Sequence, residues 1–154
     1  MLSPSTSSAS RGDAGDALAA AVQSYRDGGT IADLLMAQDR LASRTVIDDL
    51  IAAAEPYRDI PEVVGPLYER IVEQRPDDAR ALVILANAYW MSGRGPDVVS
   101  DLASRAMAAD PAHRGAWHLW ALAESDARER TARWRQAVAR LPADHLARPV
   151  LADN

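Results

Sequence analysis

The chain has 154 residues, 48% hydrophobic and 25% charged, with a net charge of −5. That balance excludes wholesale disorder, and the acidic surplus excludes an overall electrostatic grip on nucleic acid or anionic membrane. All 17 basic residues are Arg, and with no Cys there is no disulfide framework, zinc ribbon or thiol catalysis.

About a fifth of the residues are Ala, the best helix former, and β-branched residues never alternate over a strand's length. Every element therefore reads as a helix. The opening MLSPSTSSASRG lacks the basic start and apolar run of a secretory signal, so residues 1–12 read as a flexible tail. No stretch approaches the 18 apolar residues of a membrane span. The expected setting is soluble and cytoplasmic, without a membrane partner. A first helix is predicted from Asp13 to Arg26, with Leu18, Ala21, Val22 and Tyr25 on one face and Gly28-Gly29 ending it. Thr30 caps a second helix striped by Ile31, Leu34, Leu35 and Leu41, with Asp33 in its first turn. A third starts near Ser43 or Arg44, carries Val46, Ile47, Leu50, Ile51 and Ala54, and ends before Pro56.

Beyond Pro61 the pattern is regular. Helices are predicted over 61–74, 78–91, 96–109, 114–124 and 126–140, all but 114–124 followed by Pro or Gly within a few residues. Their apolar faces carry Val64, Leu67, Tyr68 and Ile71; then Leu82, Leu85, Ala86 and Tyr89; then Val98, Val99, Leu102 and Ala106. The last two carry Trp117, Trp120, Leu122 and Ala123, then Trp134, Ala137 and Val138. Short loops between helices of this length make antiparallel pairs.

Three stretches end alike, IVEQRPDDA, AMAADPAHR and AVARLPADH, and their prolines stand at 76, 111 and 142. Residues 79–111, ARALVILANAYWMSGRGPDVVSDLASRAMAADP, carry the pattern best. Leu82, Leu85, Ala86, Tyr89, the turn residue Gly93, Ala106 and the closing Asp110-Pro111 together resemble a tetratricopeptide repeat. Weaker copies run over 44–78, with Ala52, Tyr68, Ile71 and Pro76, and over 114–144, with Trp117, Ala121, Ala137 and Pro142. Pro56 and Pro61 disturb the turn of the former, and the latter lacks the turn glycine. The resemblance implies an all-α superhelical array. Three helix pairs (44–78, 79–113, 114–144) would follow two N-terminal amphipathic helices (13–43), with 145–154 as a short C-terminal segment.

Chemistry is scarce. His113, His118 and His145 lack the i, i+4 spacing of a metal pair, and no HExxH, GxSxG, Walker or GxGxxG motif occurs. Asp48-Asp49 and Asp77-Asp78 are adjacent pairs whose side chains diverge on a helix, and Asp77-Asp78 suits a helix start. No enzyme, metal or cofactor site is expected. The resemblance implies a protein-interaction module: an adaptor, accessory subunit or assembly factor that binds another subunit, a peptide segment or a second copy of itself. Its groove positions fall on Arg80, Val83, Asn87 and Trp90, then on His118 and Leu122. The family's clamp for a peptide carboxylate is not matched, because Val83 stands where a basic residue is needed. A second expected surface is the Arg-rich helix 126–140, where Arg128, Arg130, Arg133, Trp134 and Arg135 would dock an acidic partner. Only ten residues follow this helix's Pro142-bounded unit, so Trp134 and Val138 are expected to await cover from another molecule. The alternative is a regulatory or nucleic-acid-associated module using that helix, although basic–aromatic interleaving on a flat platform is lacking.

Overall fold

The computed structural model describes residues 6–141, which form eight α-helices, one 3-10 turn at Glu55–Tyr57, and no strand. The helices are α1 (Thr6–Arg26), α2 (Ile31–Arg44), α3 (Ile47–Ala54), α4 (Pro61–Gln74), α5 (Ala79–Met91), α6 (Pro96–Ala109), α7 (Arg114–Leu122) and α8 (Ala127–Arg140). The fold is all-α. Among the described residues no helix is long and apolar enough to cross a membrane.

Local chemistry sets most boundaries. The first N–H groups of a helix lack partners within it, so oxygen-bearing residues just before the helix fill them. Thr30 Oγ1 accepts from Asp33 N at 3.1 Å, Asp78 Oδ1 from Ala81 N at 3.0 Å, and Asp126 Oδ1 from Glu129 N at 2.9 Å. The end of α5 is closed at Gly93, whose φ of 72° suits a residue without Cβ. There the N–H of Gly93 donates to Trp90 O and that of Arg94 to Tyr89 O, the paired bonds of a Schellman ending.

Three boundaries differ from expectation. The helix α1 begins at Thr6, so the tail expected over 1–12 is helical at least from that residue. Adding Ser, Thr and Ala to an existing helix costs far less than nucleating one. Residues 43–46 do not open the third helix: α2 continues through Arg44, and Thr45 and Val46 are extended. Their β-branched side chains favour that geometry, and Arg44 complements the negative end of α2. Finally, α7 stops at Leu122, and the Glu124 carboxylate accepts from Asp126 N at 3.0 Å, helping to turn the chain into α8.

The chain divides into two compact units, Met1–Gln74 and Arg75–Asn154. In the first, α1 packs on α2 and α3, and α4 packs on the same two helices. Leu18, Leu34, Leu50 and Leu67 fill the centre. The expected α2 stripe is corrected: Ile31 is 45% and Leu35 43% exposed, while Gln38 faces inward beside Leu34 and Leu41. The reason lies in α4. Pro66 has no N–H to give the carbonyl of Glu62, so that carbonyl lacks its usual partner within the helix. Gln38 Nε2 fills the gap, donating to Val63 O at 2.7 Å and to Glu62 O at 3.4 Å. Asp49, nearly buried on α3, accepts from Arg11 Nε of α1 at 3.1 Å. Arg70 of α4 pairs with Asp39 of α2. The links of Gln38 and Asp39 tie residues 44–74 to 13–43 in one unit, so the boundary expected at residue 43 falls inside a shared core. Ala52, which the resemblance would bury between helices, is exposed.

In the second unit α5 and α6 form a close hairpin, α7 packs against both, and α8 covers α7. Ala86 and Ala106 are wholly buried among Leu82, Leu85 and Leu102, so small residues sit where backbones approach. Ala121, Trp134 and Ala137 form a further cluster with Trp117 and Val138 packed against it. All four tryptophans belong to this unit.

Candidate protein-binding face

The open face of the second unit is built by α5 and α7. Two contacts fix the helix directions. Arg105, late in α6, donates to Pro76 O just before α5 at 3.4 Å. Arg133 of α8 reaches both Ser100, early in α6, and Trp120, late in α7, at 3.1 and 2.8 Å. Hence α6 runs against both neighbours, and α5 and α7 run in parallel. They meet closely at Gly115, where an added Cβ would lie 3.0 Å from Val83 Cγ1. Seven residues on from this contact, at about 1.5 Å rise per residue, Trp90 and Leu122 stand at the same height.

The structure gives Arg80, Val83, Asn87 and Trp90 the spacing of one α5 face. Arg80 and Asn87 are exposed, Trp90 is 41% exposed, and Val83 is half-buried beside Gly115. Leu122, at 39%, is open on α7. His118 is turned differently: its ring meets Trp134 of α8 edge-on at 5.3 Å and is half-buried. It therefore packs α7 onto α8 as well as flanking the face. Two residues were missed. Met91 and Val98, 41% and 43% exposed, stand at the same end as Trp90, because the turn from α5 to α6 brings them there. The doublet Val98-Val99 carries the signal, since only one of two neighbours on a helix can face the core, and Val99 does.

The Arg-rich surface is largely overturned. Trp134 is 2% exposed, so it can neither dock a partner nor await cover. Packing against α7 buries it, whereas the segment 145–154 lies outside the described residues. Arg133 is committed internally: its guanidinium pairs with Glu124 at 2.9 Å and lies over the Trp120 ring at 4.6 Å, besides its two hydrogen bonds above. Arg130 Nη1 donates to Glu124 O at 3.1 Å. Arg128 and Arg135 remain exposed. The side chains of these residues are long enough to fold back, which a charge count along the helix does not register.

Among the described residues no group of three or more metal-ligating side chains comes together. Asp48 is exposed while Asp49 points inward to Arg11, so that pair diverges. The face thus offers an aromatic anchor, an amide and aliphatic rims, the chemistry of recognition by contact. Comparison with known proteins finds no matching family model and no matching curated protein.

Proposed function

We propose that the chain is a non-catalytic protein-interaction module, an adaptor, accessory subunit or assembly factor, whose second unit stacks helix pairs in the tetratricopeptide manner. The observation that supports this most is the parallel pair α5 and α7, with Asn87, Trp90 and Leu122 on their open side and α6 packed against both. A large ring that keeps two-fifths of its surface open at the end of a helix is costly to leave wet and profitable to cover. Trp90 acts as the anchor, with Met91, Val98 and Leu122 as its apolar surround. The Asn87 amide, one turn earlier, offers a donor and an acceptor to the backbone of an extended segment. The rival reading, nucleic-acid association through 126–140, loses force because Arg130 and Arg133 are spent on Glu124, Trp120 and Ser100.

The test is to identify the partner by co-purification from the native organism and then measure its affinity for purified variants. Trp90→Ala should weaken binding roughly tenfold or more, as truncating a central aromatic anchor does. Asn87→Ala should weaken it less and leave thermal stability unchanged, because that side chain is exposed. Wild-type affinity in both variants would overturn the proposal. So would oligonucleotide binding that falls steeply with salt and is lost on Arg128→Glu with Arg135→Glu.

A further inference from the structure

We propose a second docking site, on the first unit: the cleft between α1 and α2, taking a partner helix that carries a pair of carboxylates. The two helices do not close over one another along their outer side. Ala17 and Ala21 of α1 oppose Ala37 of α2, and these small side chains leave an open hollow of about 270 Å³ floored by Leu18 and Leu41. Past Arg44 a second hollow of about 310 Å³ continues to Asp13 and Thr45. From Asp13 to Ala21 the cleft follows about 12 Å of helix, two turns' worth, at 1.5 Å per residue.

Charge identifies the occupant. Residues 1–75 hold 12 acids against 7 arginines, so carboxylates are in surplus. Arg11, Arg58 and Arg70 each take one of them. Among the described residues Arg40 and Arg44 take none, although both line the cleft, one turn apart on α2. Asp13 lines the far hollow and makes no ion pair with Arg44. Two guanidinium forks at i, i+4 match two carboxylates spaced three or four apart on a facing helix, and each fork can hold a carboxylate by paired hydrogen bonds. The alanine-lined trough between them accepts the apolar side chains on the same face of that helix. A small acid fits poorly, since hollows open on one side cannot bury most of its surface. An anionic membrane fits poorly too, because a flat lipid surface presents no ridge of side chains to fill a trough between two helices.

A display library of helical peptides about fourteen residues long, or four turns, panned on the full chain tests this. Enriched peptides should carry Asp or Glu pairs three or four apart beside small apolar residues. Their affinity should fall roughly tenfold or more on Arg40→Gln with Arg44→Gln, both exposed positions, as charge-assisted bonds are lost. Ala21→Trp, which fills the trough, should block them while circular dichroism confirms a folded chain. Asn87→Ala and Trp90→Ala should bind them as wild type does, which separates this site from the face on α5 and α7. No enrichment, peptides without acidic pairs, or affinity indifferent to the double substitution would overturn the proposal. Vesicles rich in anionic lipid that bind through the same two arginines would overturn it as well.

Discussion

Replacing Gln38 by Leu probes the contact that holds α2 to α4. The amide spans two carbonyls of the turn before Pro66, at 2.7 Å to Val63 O and 3.4 Å to Glu62 O. Gln38 is 2% exposed, so water does not take over when the amide is removed. Leaving a buried carbonyl without a donor costs about 1–3 kcal/mol. Leu restores some of this, because it also removes Gln38 Oε1, which is buried without a partner. The net expected loss is about 1–2 kcal/mol. The diagnostic step is a double-mutant cycle with Pro66→Ala, which returns an N–H able to serve Glu62 O within the helix. In that background Gln38→Leu should cost about 1 kcal/mol less. Urea unfolding followed by far-UV circular dichroism measures both losses, with the m-value showing that the denatured state is unchanged. Equal losses in the two backgrounds, or none in either, would refute the idea that Gln38 is buried to satisfy the proline turn.

Other positions give sharper contrasts. Arg133→Ala should lower stability by about 2 kcal/mol, since it removes the ion pair of Glu124 and the donor to Trp120 O, whereas Arg135→Ala should be silent; paired thermal melts decide it. Gly93→Ala should cost about 1–2 kcal/mol from the left-handed backbone alone, because nothing crowds an added Cβ there; Gly93→Asn should cost visibly less in the same melts. Thr30→Ala should remove about 1 kcal/mol and raise amide exchange in the first turn of α2, while Thr30→Ser, which keeps the cap acceptor and the hydroxyl that donates to Asp33, should keep both near wild type. His118→Ala should reduce stability through its lost contact with Trp134, in contrast to Asn87→Ala, a difference visible by calorimetry.

What could be read from the sequence was what neighbours in sequence decide. The caps at Thr30 and Asp78, the turn at Gly93 and the 61–74 and 96–109 helices follow from side chains acting within four residues of themselves. The position of Gln38 could not be read in this way, because the reason for it is a proline twenty-eight residues further on. A hydrophobicity stripe assigns Ile31 and Leu35 to the core of α2; the carbonyls on α4 call for an amide instead. Arg133 was equally illegible. Its run of arginine neighbours looks like a solvated face, and only the fold brings Ser100, Trp120 and Glu124 around one of them. The α5 face fared better, since Arg80, Val83, Asn87 and Trp90 are related by helical spacing alone. Its continuation to Met91 and Val98 needed the turn between α5 and α6, and the cleft of Arg40 and Arg44 needed α1 alongside α2.

The uneven distribution of tryptophan has an optical consequence. Indole emission from this chain originates wholly in residues 90–134, while Tyr25, Tyr57 and Tyr68 are the chromophores of the first unit. Selective indole excitation therefore reports only on the second unit. A ligand covering Trp90 should shift that emission towards the blue, as a half-exposed ring becomes dry, against a steady background from Trp134, already 2% exposed. Melting of α1–α4 alone would leave the spectrum unchanged while amide circular dichroism falls. Two lamps thus separate two halves of one polypeptide without any label being attached.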